Sequence, residues 1–258
     1  MRIVAIHGYP FDRRLWGPLT LLAGEGALGE GVSVFAPDLR GRGSSKLPAL
    51  PEHPMSLHAD DVADTVDAAF VPSDRFVLCG VSMGGYVALR FLERHRRRFG
   101  KRLAGVALVD SRASSDDEKG KAGRRAGAEA IGREGMKAAL DAMLPKLFAP
   151  RNRGGAAEET TRRMILETPP ATAQADLLGM AARPDGFEVL GLLDVPFLAV
   201  VGEEDVLTPP SDTEAMCDAA GNAPFVRLLT LPGAGHMVPL EAPEALAQAL
   251  ADLVRRAS

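Results

Sequence analysis

A serine between glycines follows an apolar run about one third of the way along the chain. Residues 77–91 read VLCGVSMGGYVALRF and contain Gly80, Ser82, Gly84 and Gly85. Glycine has no side chain to pack, so it is used where the backbone turns sharply or approaches another element closely. The pattern G-x-S-x-G between a strand and a helix presents the serine hydroxyl at such a turn. We therefore predict that Ser82 is a nucleophile.

A serine hydroxyl needs a base, usually histidine, and that base needs a carboxylate to hold its tautomer and orientation. His236 lies in LPGAGHMVPLEAPE, between the last predicted strand and the last predicted helix. Asp205 lies in AVVGEEDVLTPP, just after the preceding predicted strand. Ser82, Asp205 and His236 are therefore the predicted catalytic residues, in the chain order serine, acid, histidine.

Three other carboxylates compete with Asp205 for the acid role. Glu203 and Glu204 directly precede it, and Asp110 ends the predicted strand GVALVDS. Asp205 is favoured because it follows the strand nearest to His236 in chain order. Asp110 is interpreted as a structural residue that bonds local backbone donors.

A tetrahedral intermediate needs two N–H donors that point at its negatively charged oxygen. The residue after the nucleophile supplies one of them, and the loop after the first strand supplies the other. These positions are Met83 and, in the loop HGYPFD, Tyr9. We predict an oxyanion hole made of the Met83 and Tyr9 N–H groups, with His7 buried under the loop as a structural residue.

The elements that must position these residues can be read from the apolar pattern. Near-continuous apolar runs are typical of parallel strands buried on both faces. The six runs are RIVAIHG, VSVFAPD, RFVLCGVS, LAGVALVDS, PFLAVVGEED and FVRLLTLPG. Helical patterns lie between most of them. The alternation predicts an α/β, doubly wound, mostly parallel sheet with its functional site at the carboxyl ends of the strands.

The alternation is interrupted by a segment with only helical patterns. No strand pattern occurs in residues 114–185, and Ser115 with Glu118 is a candidate capping box for a first helix there. We predict a core of residues 1–113 and 186–258 with a helical cap of residues 114–185. Four of the nine methionines lie in this segment, at Met136, Met143, Met164 and Met180. They are interpreted mostly as core or gap fillers, and the sequence does not show which of them line an acyl pocket. A cap wall of methionine, leucine and alanine would be mainly apolar and would favour small to medium acyl groups.

Composition and charge do not favour nucleic acid or a membrane as partner. The 258 residues carry a net charge of −4 and a pI near 5.8, which gives no support for nucleic acid or a membrane surface as partner. The basic run in residues 94–102 is interpreted as a solvated helix end. The amino terminus lacks a signal-peptide pattern, and no apolar run is long enough to span a membrane. The two cysteines fit a reducing compartment, so the predicted location is cytoplasmic.

No cofactor or metal is predicted. The segment GEGALG at residues 24–29 matches G-x-G-x-x-G, but it follows a predicted helix and precedes a predicted strand. A dinucleotide-binding loop has the opposite order, so this match is rejected. The cysteines have no metal-ligand spacing.

These motifs together resemble the α/β-hydrolase superfamily. The segments HGYP, PDLRGRGSS, GVSMGG, LVDSRA, VGEEDVLTPP and PGAGHMVPLEAPE carry the resemblance. It is strongest to capped bacterial carboxylesterases and 3-oxoadipate enol-lactonases. The resemblance implies a triad of Ser82, Asp205 and His236 and oxyanion donors at Tyr9 and Met83. Members usually begin with a two-stranded hairpin, which this sequence lacks, so about six strands are predicted.

Three functions fit these residues. The first is hydrolysis of small to medium carboxylic esters or lactones through an acyl-serine intermediate. The second is acyl transfer or cofactor-free perhydrolysis, as in haloperoxidases of this superfamily, with the same triad. The third is a non-catalytic ligand-binding module, against which the complete triad argues. The first two are not separated by the sequence, which also leaves the natural substrate and the oligomeric state open.

Overall fold

The computed structural model describes residues 1–257, and within them six strands form one sheet. All neighbouring strands are parallel, in the order β2-β1-β3-β4-β5-β6. The strands are β1 (Arg2–Ile6), β2 (Ser33–Phe35), β3 (Phe76–Val81), β4 (Leu103–Val109), β5 (Phe197–Gly202) and β6 (Val226–Leu231). The prediction of six parallel strands is therefore confirmed, and each strand lies within one of the six apolar runs.

The central strands explain why those runs are apolar. Every residue of β3, β4 and β5 is buried, because helices cover the sheet on both sides. The helices are α1 (Gly17–Gly24), α2 (Met55–Ala69), α3 (Met83–Phe99), α4 (Glu118–Glu134), α5 (Met136–Leu147), α6 (Ala156–Glu167), α7 (Pro170–Ala181), α8 (Phe187–Gly191), α9 (Pro210–Ala219), α10 (Val238–Glu241) and α11 (Pro243–Ala257). Helix α3 packs on β3 and α2, and α11 packs on β4, β5 and α1.

Four helices, α4 to α7, occupy the segment between β4 and α8. No strand lies within residues 114–185, all of which the structure describes. Helix α4 begins at Glu118, and the Asp117 carboxylate caps it by accepting the Gly120 N–H at 2.7 Å. The predicted capping box of Ser115 and Glu118 is wrong, because Asp117 stands immediately before the first turn and satisfies its donors. Helix α4 packs mainly against α7, and α5 packs against α4 and α6.

The basic run at the end of α3 lies against acidic residues of α2. Arg94 forms an ion pair with Asp60 at 2.9 Å, and Arg98 forms ion pairs with Asp64 and Asp67. The basic run is therefore more than a solvated helix end, because its arginines also form ion pairs that join α3 to α2. Across residues 1–257, no helix combines the length and apolar character needed to cross a bilayer.

Candidate active site

Ser82 occupies the sharp turn between β3 and α3. Its backbone has φ 52° and ψ −118°. Within residues 1–257, Ser82 and Asp110 are the only residues other than glycine with a positive φ. Such conformations cost about 1–3 kcal/mol each and persist where the surrounding structure enforces them. Both residues lie at the carboxyl ends of neighbouring strands, so the strain is concentrated at this edge of the sheet.

The glycines around Ser82 allow helix and strand backbones to touch. A Cβ atom on Gly80 would overlap the carbonyl oxygen of Gly84, and one on Gly84 would overlap that of Ile6. Glycine at these two positions lets the start of α3 lie directly over β3 and β1. This close approach is the physical reason for the glycine spacing seen in the sequence.

His236 connects Ser82 to Asp205. The His236 Nε2 atom lies 3.0 Å from the Ser82 Oγ atom, and the Nδ1 atom lies 2.8 Å from an Asp205 carboxylate oxygen. The His236 side chain is buried in the loop after β6. Its backbone N–H donates to the Leu147 carbonyl at 2.9 Å, so α5 helps to hold this loop. The structure thus brings together the three residues that the sequence selected.

Asp205 is held by donors other than His236. One of its oxygens accepts the N–H groups of Leu207 and Thr208 at 2.8 and 3.1 Å, and the other accepts the Thr208 hydroxyl at 2.7 Å. Burial opposes ionisation of this carboxyl, but the attraction of His236 and these hydrogen bonds outweigh it and lower its pKa. Glu203 and Glu204 are exposed, and the side-chain partners of His236 are Ser82, Asp205 and Thr208. Asp205 is therefore the carboxylate of this group that can fix the imidazole.

The electrostatics of His236 suit a base. Burial disfavours the imidazolium, but the charge of Asp205 and the hydrogen bond with it reverse this effect, so the pKa is raised. With Nδ1–H donating to Asp205, the free lone pair of Nε2 faces the Ser82 hydroxyl. A raised pKa strengthens the imidazole as a proton acceptor at neutral pH.

The raised pKa of His236 leads to a testable pH dependence. A base must be unprotonated, so kcat/KM should fall as the pH drops through the pKa of His236. We expect the midpoint of this acid limb to lie above the usual histidine value of about 6.5, and to move downward in Asp205→Asn, which removes the attraction that raises it. A pH profile with an uncharged nitrophenyl ester measures both midpoints. An acid limb centred below the ordinary histidine value would contradict the account.

Asp110 joins the two loops that carry Asp205 and His236. One oxygen accepts the Gly202 N–H at the end of β5, and the other accepts the Val238 N–H beyond His236, each at 3.0 Å. Burial and the nearby charge of Asp205 raise its pKa. Its donors lie 92 and 128 residues away along the chain, so the expectation of local backbone partners is wrong. The sequence could not reveal them, because they depend on the order of strands in the sheet.

The loop after β1 lies directly beside Ser82. A Cβ atom on Gly8 would lie 3.2 Å from the Ser82 Cβ atom. The His7 ring is buried under this loop, where its Nε2 atom accepts the Leu39 N–H at 3.0 Å and its Nδ1–H donates to the Gly8 carbonyl. Burial lowers the pKa of His7 to about 4, so the ring is neutral. The predicted structural role of His7 is confirmed.

The two predicted oxyanion donors belong to the two segments that adjoin Ser82, the start of α3 and the loop after β1. Met83 is the first residue of α3, where backbone N–H groups have no acceptor within the helix. Tyr9 follows Gly8 in the neighbouring loop. Neither N–H donates to another backbone carbonyl within residues 1–257. Neither N–H group is therefore occupied by a backbone acceptor.

A cavity of about 480 Å³ opens at Ser82 and His236. Met143 and Leu177 form part of its wall, together with Met180. Met136 and Met164 are buried elsewhere and do not line it. Charged side chains also line the cavity, namely Arg112, Asp116, Arg124 and Lys146. The expectation of a mainly apolar wall is therefore incomplete, since helix periodicity does not show which charged residues of α4 and α5 face the cavity.

A second polar cluster is buried between α7 and α2. The His53 Nδ1–H and His58 Nε2–H groups donate to one oxygen of Asp176 at 2.7 and 2.9 Å, and Arg42 forms an ion pair with the other oxygen. The Leu50 N–H donates to the His53 Nε2 atom at 3.0 Å, which fixes the proton of His53 on Nδ1. A metal ion on His53 Nδ1 would require that proton to leave, so hydrogen bonds and the ion pair hold these side chains together, while the buried His58 Nδ1 and Arg42 Nε atoms have no partner within residues 1–257. Residues far apart in the sequence form it, so no spacing predicted it.

Comparison with known proteins agrees with this geometry. Residues 3–249 match the model of the alpha/beta hydrolase family. The chain belongs to this family. An esterase of known structure from Thermogutta terrifontis is 36% identical to this alpha/beta hydrolase, with a TM-score of 0.88 over 100% of this chain and 90% of the esterase. The 3-oxoadipate enol-lactonase 1 of Acinetobacter baylyi is 26% identical over 95% of this chain and 85% of the lactonase.

Proposed function

We propose that this alpha/beta hydrolase cleaves carboxylic esters or lactones of small to medium size through an acyl-serine intermediate. The observation that carries the proposal is the hydrogen-bonded series Ser82, His236 and Asp205 beside a cavity of about 480 Å³. Cavities of about 300–1,000 Å³ suit small-molecule ligands. The similarity to proteins named as an esterase and an enol-lactonase adds independent support.

Acylation begins with attack of the Ser82 hydroxyl oxygen on the carbonyl carbon of the substrate. The His236 Nε2 atom takes the hydroxyl proton, while its Nδ1–H continues to donate to Asp205. The carbonyl oxygen becomes an oxyanion, which accepts hydrogen bonds from the Tyr9 and Met83 N–H groups. Donors that are already oriented stabilise this charge without reorganisation during the reaction.

The intermediate collapses when His236 returns the proton to the leaving alkoxide. For an ester this releases the alcohol, and for a lactone the alcohol stays attached to the acyl group. Water then attacks the acyl-serine with His236 again as base, which releases the acid and restores Ser82. Acyl transfer or perhydrolysis would use the same steps with another acceptor in place of water, and an acceptor competition assay separates these outcomes.

A screen of p-nitrophenyl esters graded by acyl length, beside a panel of lactones, tests the proposed reaction. We expect turnover of several short and medium substrates, because apolar contacts discriminate by only about 1–3 kcal/mol per methylene. Triglycerides should be poor substrates. Absence of turnover on every ester and lactone would contradict the proposed function.

We also propose that residues 114–185 act as a cap that forms one wall of the substrate cavity. Met143 on α5 and Met180 on α7 line the cavity with Ser82. We expect Met143→Trp or Met180→Trp to shift the acyl-length optimum to shorter chains, since the indole fills cavity space. The kcat/KM for the longest accepted ester should fall by about tenfold or more.

The matched control for the tryptophan variants is Leu166→Trp. Leu166 lies on α6, is 47% exposed and does not line the cavity. The optimum should not move in this control. If the acyl-length optimum is also unchanged in Met143→Trp and Met180→Trp, α5 and α7 do not limit the length of the acyl group.

We also propose that the partner of this protein is a small-molecule ester or lactone. We propose a cytoplasmic location. The free thiols of Cys79 and Cys217 are consistent with a reducing compartment.

A further inference from the structure

The cavity at Ser82 has an excess of positively charged side chains. Arg112, Arg124 and Lys146 line it, whereas Asp116 is the one carboxylate among its lining residues. The Arg112 and Arg124 side chains are 28% and 19% exposed, so both guanidinium groups lie largely away from bulk water. Lys146 is exposed and lies at the rim.

Asp116 does not neutralise this set, because it is shared. It forms ion pairs with Arg124 and with the buried Arg183, and it lies 3.4 Å from Arg112. Burial opposes ionisation of Asp116, but the hydrogen bonds from Arg183 and Arg124 outweigh it and lower its pKa. Asp212 approaches Arg112 only at 3.9 Å. Two carboxylates, Asp116 and Asp212, therefore face the three guanidinium groups of Arg112, Arg124 and Arg183, and with Lys146 this leaves net positive charge at the cavity.

Two residues that line the cavity also carry a buried donor without a partner. The Nε–H group of Arg112 and the hydroxyl of Tyr9 are buried and have no hydrogen-bond partner within residues 1–257. Burial raises the pKa of Tyr9, so its hydroxyl keeps the proton and can donate it in a hydrogen bond. Neither atom is exposed to the cavity, so both donors add positive potential near it without direct contact to a ligand.

We propose that the substrate is an ester or lactone that carries a free carboxylate, and that Arg112 and Arg124 bind this carboxylate while Ser82 attacks the ester carbonyl. The planar guanidinium group suits a carboxylate because two N–H groups can reach its two oxygens. Lys146 attracts the same charge from the rim. This inference rests on the proposed hydrolase function and narrows its substrate class.

The carboxylate can sit in the acyl part or in the alcohol part of the ester, and two pairs of substrates separate these cases. Monoethyl adipate is compared with ethyl hexanoate, which lacks the acyl carboxylate. Then 4-acetoxybutanoate is compared with butyl acetate, which lacks the alcohol carboxylate. We expect kcat/KM to favour the anionic ester in at least one pair by about tenfold to a hundredfold, mainly through KM. Proton release in a pH-stat measures all four rates.

Substitutions then test the arginines directly. Arg124→Gln and Arg112→Gln should each remove most of the preference for the anionic ester, while kcat/KM for its neutral partner changes far less. The matched control is Arg125→Gln, because Arg125 is exposed on the same helix and does not line the cavity. Thermal melting shows whether each variant is folded. If the Arg124 variant unfolds, two other measurements test the positive charge of the cavity. Lys146→Gln should reduce the preference for the anionic ester, and adipate should inhibit butyl acetate hydrolysis by the wild type.

A binding measurement keeps this inference separate from the proposed reaction. We expect adipate or 4-acetoxybutanoate to bind Ser82→Ala protein in a calorimeter, with binding weakened by Arg112→Gln or Arg124→Gln and kept in Arg125→Gln. Equal rates on anionic and neutral esters in both pairs, or no calorimetric binding of either anion, would overturn the carboxylate site. Failure of the hydrolase proposal would give a different result from failure of the carboxylate site. In that case neither charged nor neutral esters are cleaved, but the anions still bind.

Discussion

Ser82→Ala is expected to lower kcat on p-nitrophenyl butanoate by a factor of about 10⁴ to 10⁶. The variant removes the attacking oxygen, so no acyl-serine can form. The remaining rate comes from oxyanion donors and substrate binding, which survive the loss of one triad residue. The hydroxyl that is removed lies 3.0 Å from His236 Nε2, and Ser82 lines the cavity. Steady-state kinetics at neutral pH, with folding checked by circular dichroism, measures the effect.

Ser115→Ala is the control for this substitution. Ser115 is exposed and lies outside the cavity, so its loss should leave kcat near that of the wild type. A Ser82→Ala variant that keeps more than about one tenth of the wild-type kcat would assign the nucleophile to another residue, since it falls far short of the expected triad effect.

Asp205→Asn is expected to lower kcat by about 10⁴, as loss of the orienting carboxylate does in a serine-protease triad. The amide cannot hold Nδ1–H of His236 in the same way, and the charge that stabilises the imidazolium is lost. Asp110→Asn should have a much smaller effect at equal folded fraction. Asp110 binds the Gly202 and Val238 backbone groups and does not contact His236 in this structure.

Glu204→Gln serves as the matched control for the two aspartates. Glu204 directly precedes Asp205 and is exposed, so its charge should not matter for turnover. If Asp110→Asn causes the larger loss and Asp205→Asn the smaller one, the acid role passes to Asp110 and the triad assignment is wrong.

The parts of the fold that follow from local pattern could be predicted from the sequence. Each strand is a short apolar run, and the glycines around Ser82 signal a tight turn whatever surrounds it. The meeting of Ser82, Asp205 and His236 follows from one topological fact, because parallel strands end at the same edge of a sheet. The three triad residues could therefore be identified from the sequence, before any distance between them was known.

Contacts between distant segments could not be predicted in the same way. The partners of Asp110 depend on which strands are neighbours, and the cluster around Asp176 depends on how α7 meets α2. The positive charge at the cavity is a further example. Arg112 lies in the loop after β4 and Arg124 lies on α4, and nothing in the local sequence shows that the fold places both on the wall of the cavity that Ser82 also lines.

The central claim is that Ser82 becomes acylated, and intact-mass spectrometry after treatment with a fluorophosphonate tests it most directly. We predict a single adduct on the wild-type protein, located on the peptide that contains Ser82. His236→Ala should slow the labelling, because the hydroxyl then lacks its base. Ser82→Ala protein should remain unlabelled. An adduct of equal yield on folded Ser82→Ala protein, or one located on another residue in the wild type, would contradict the account.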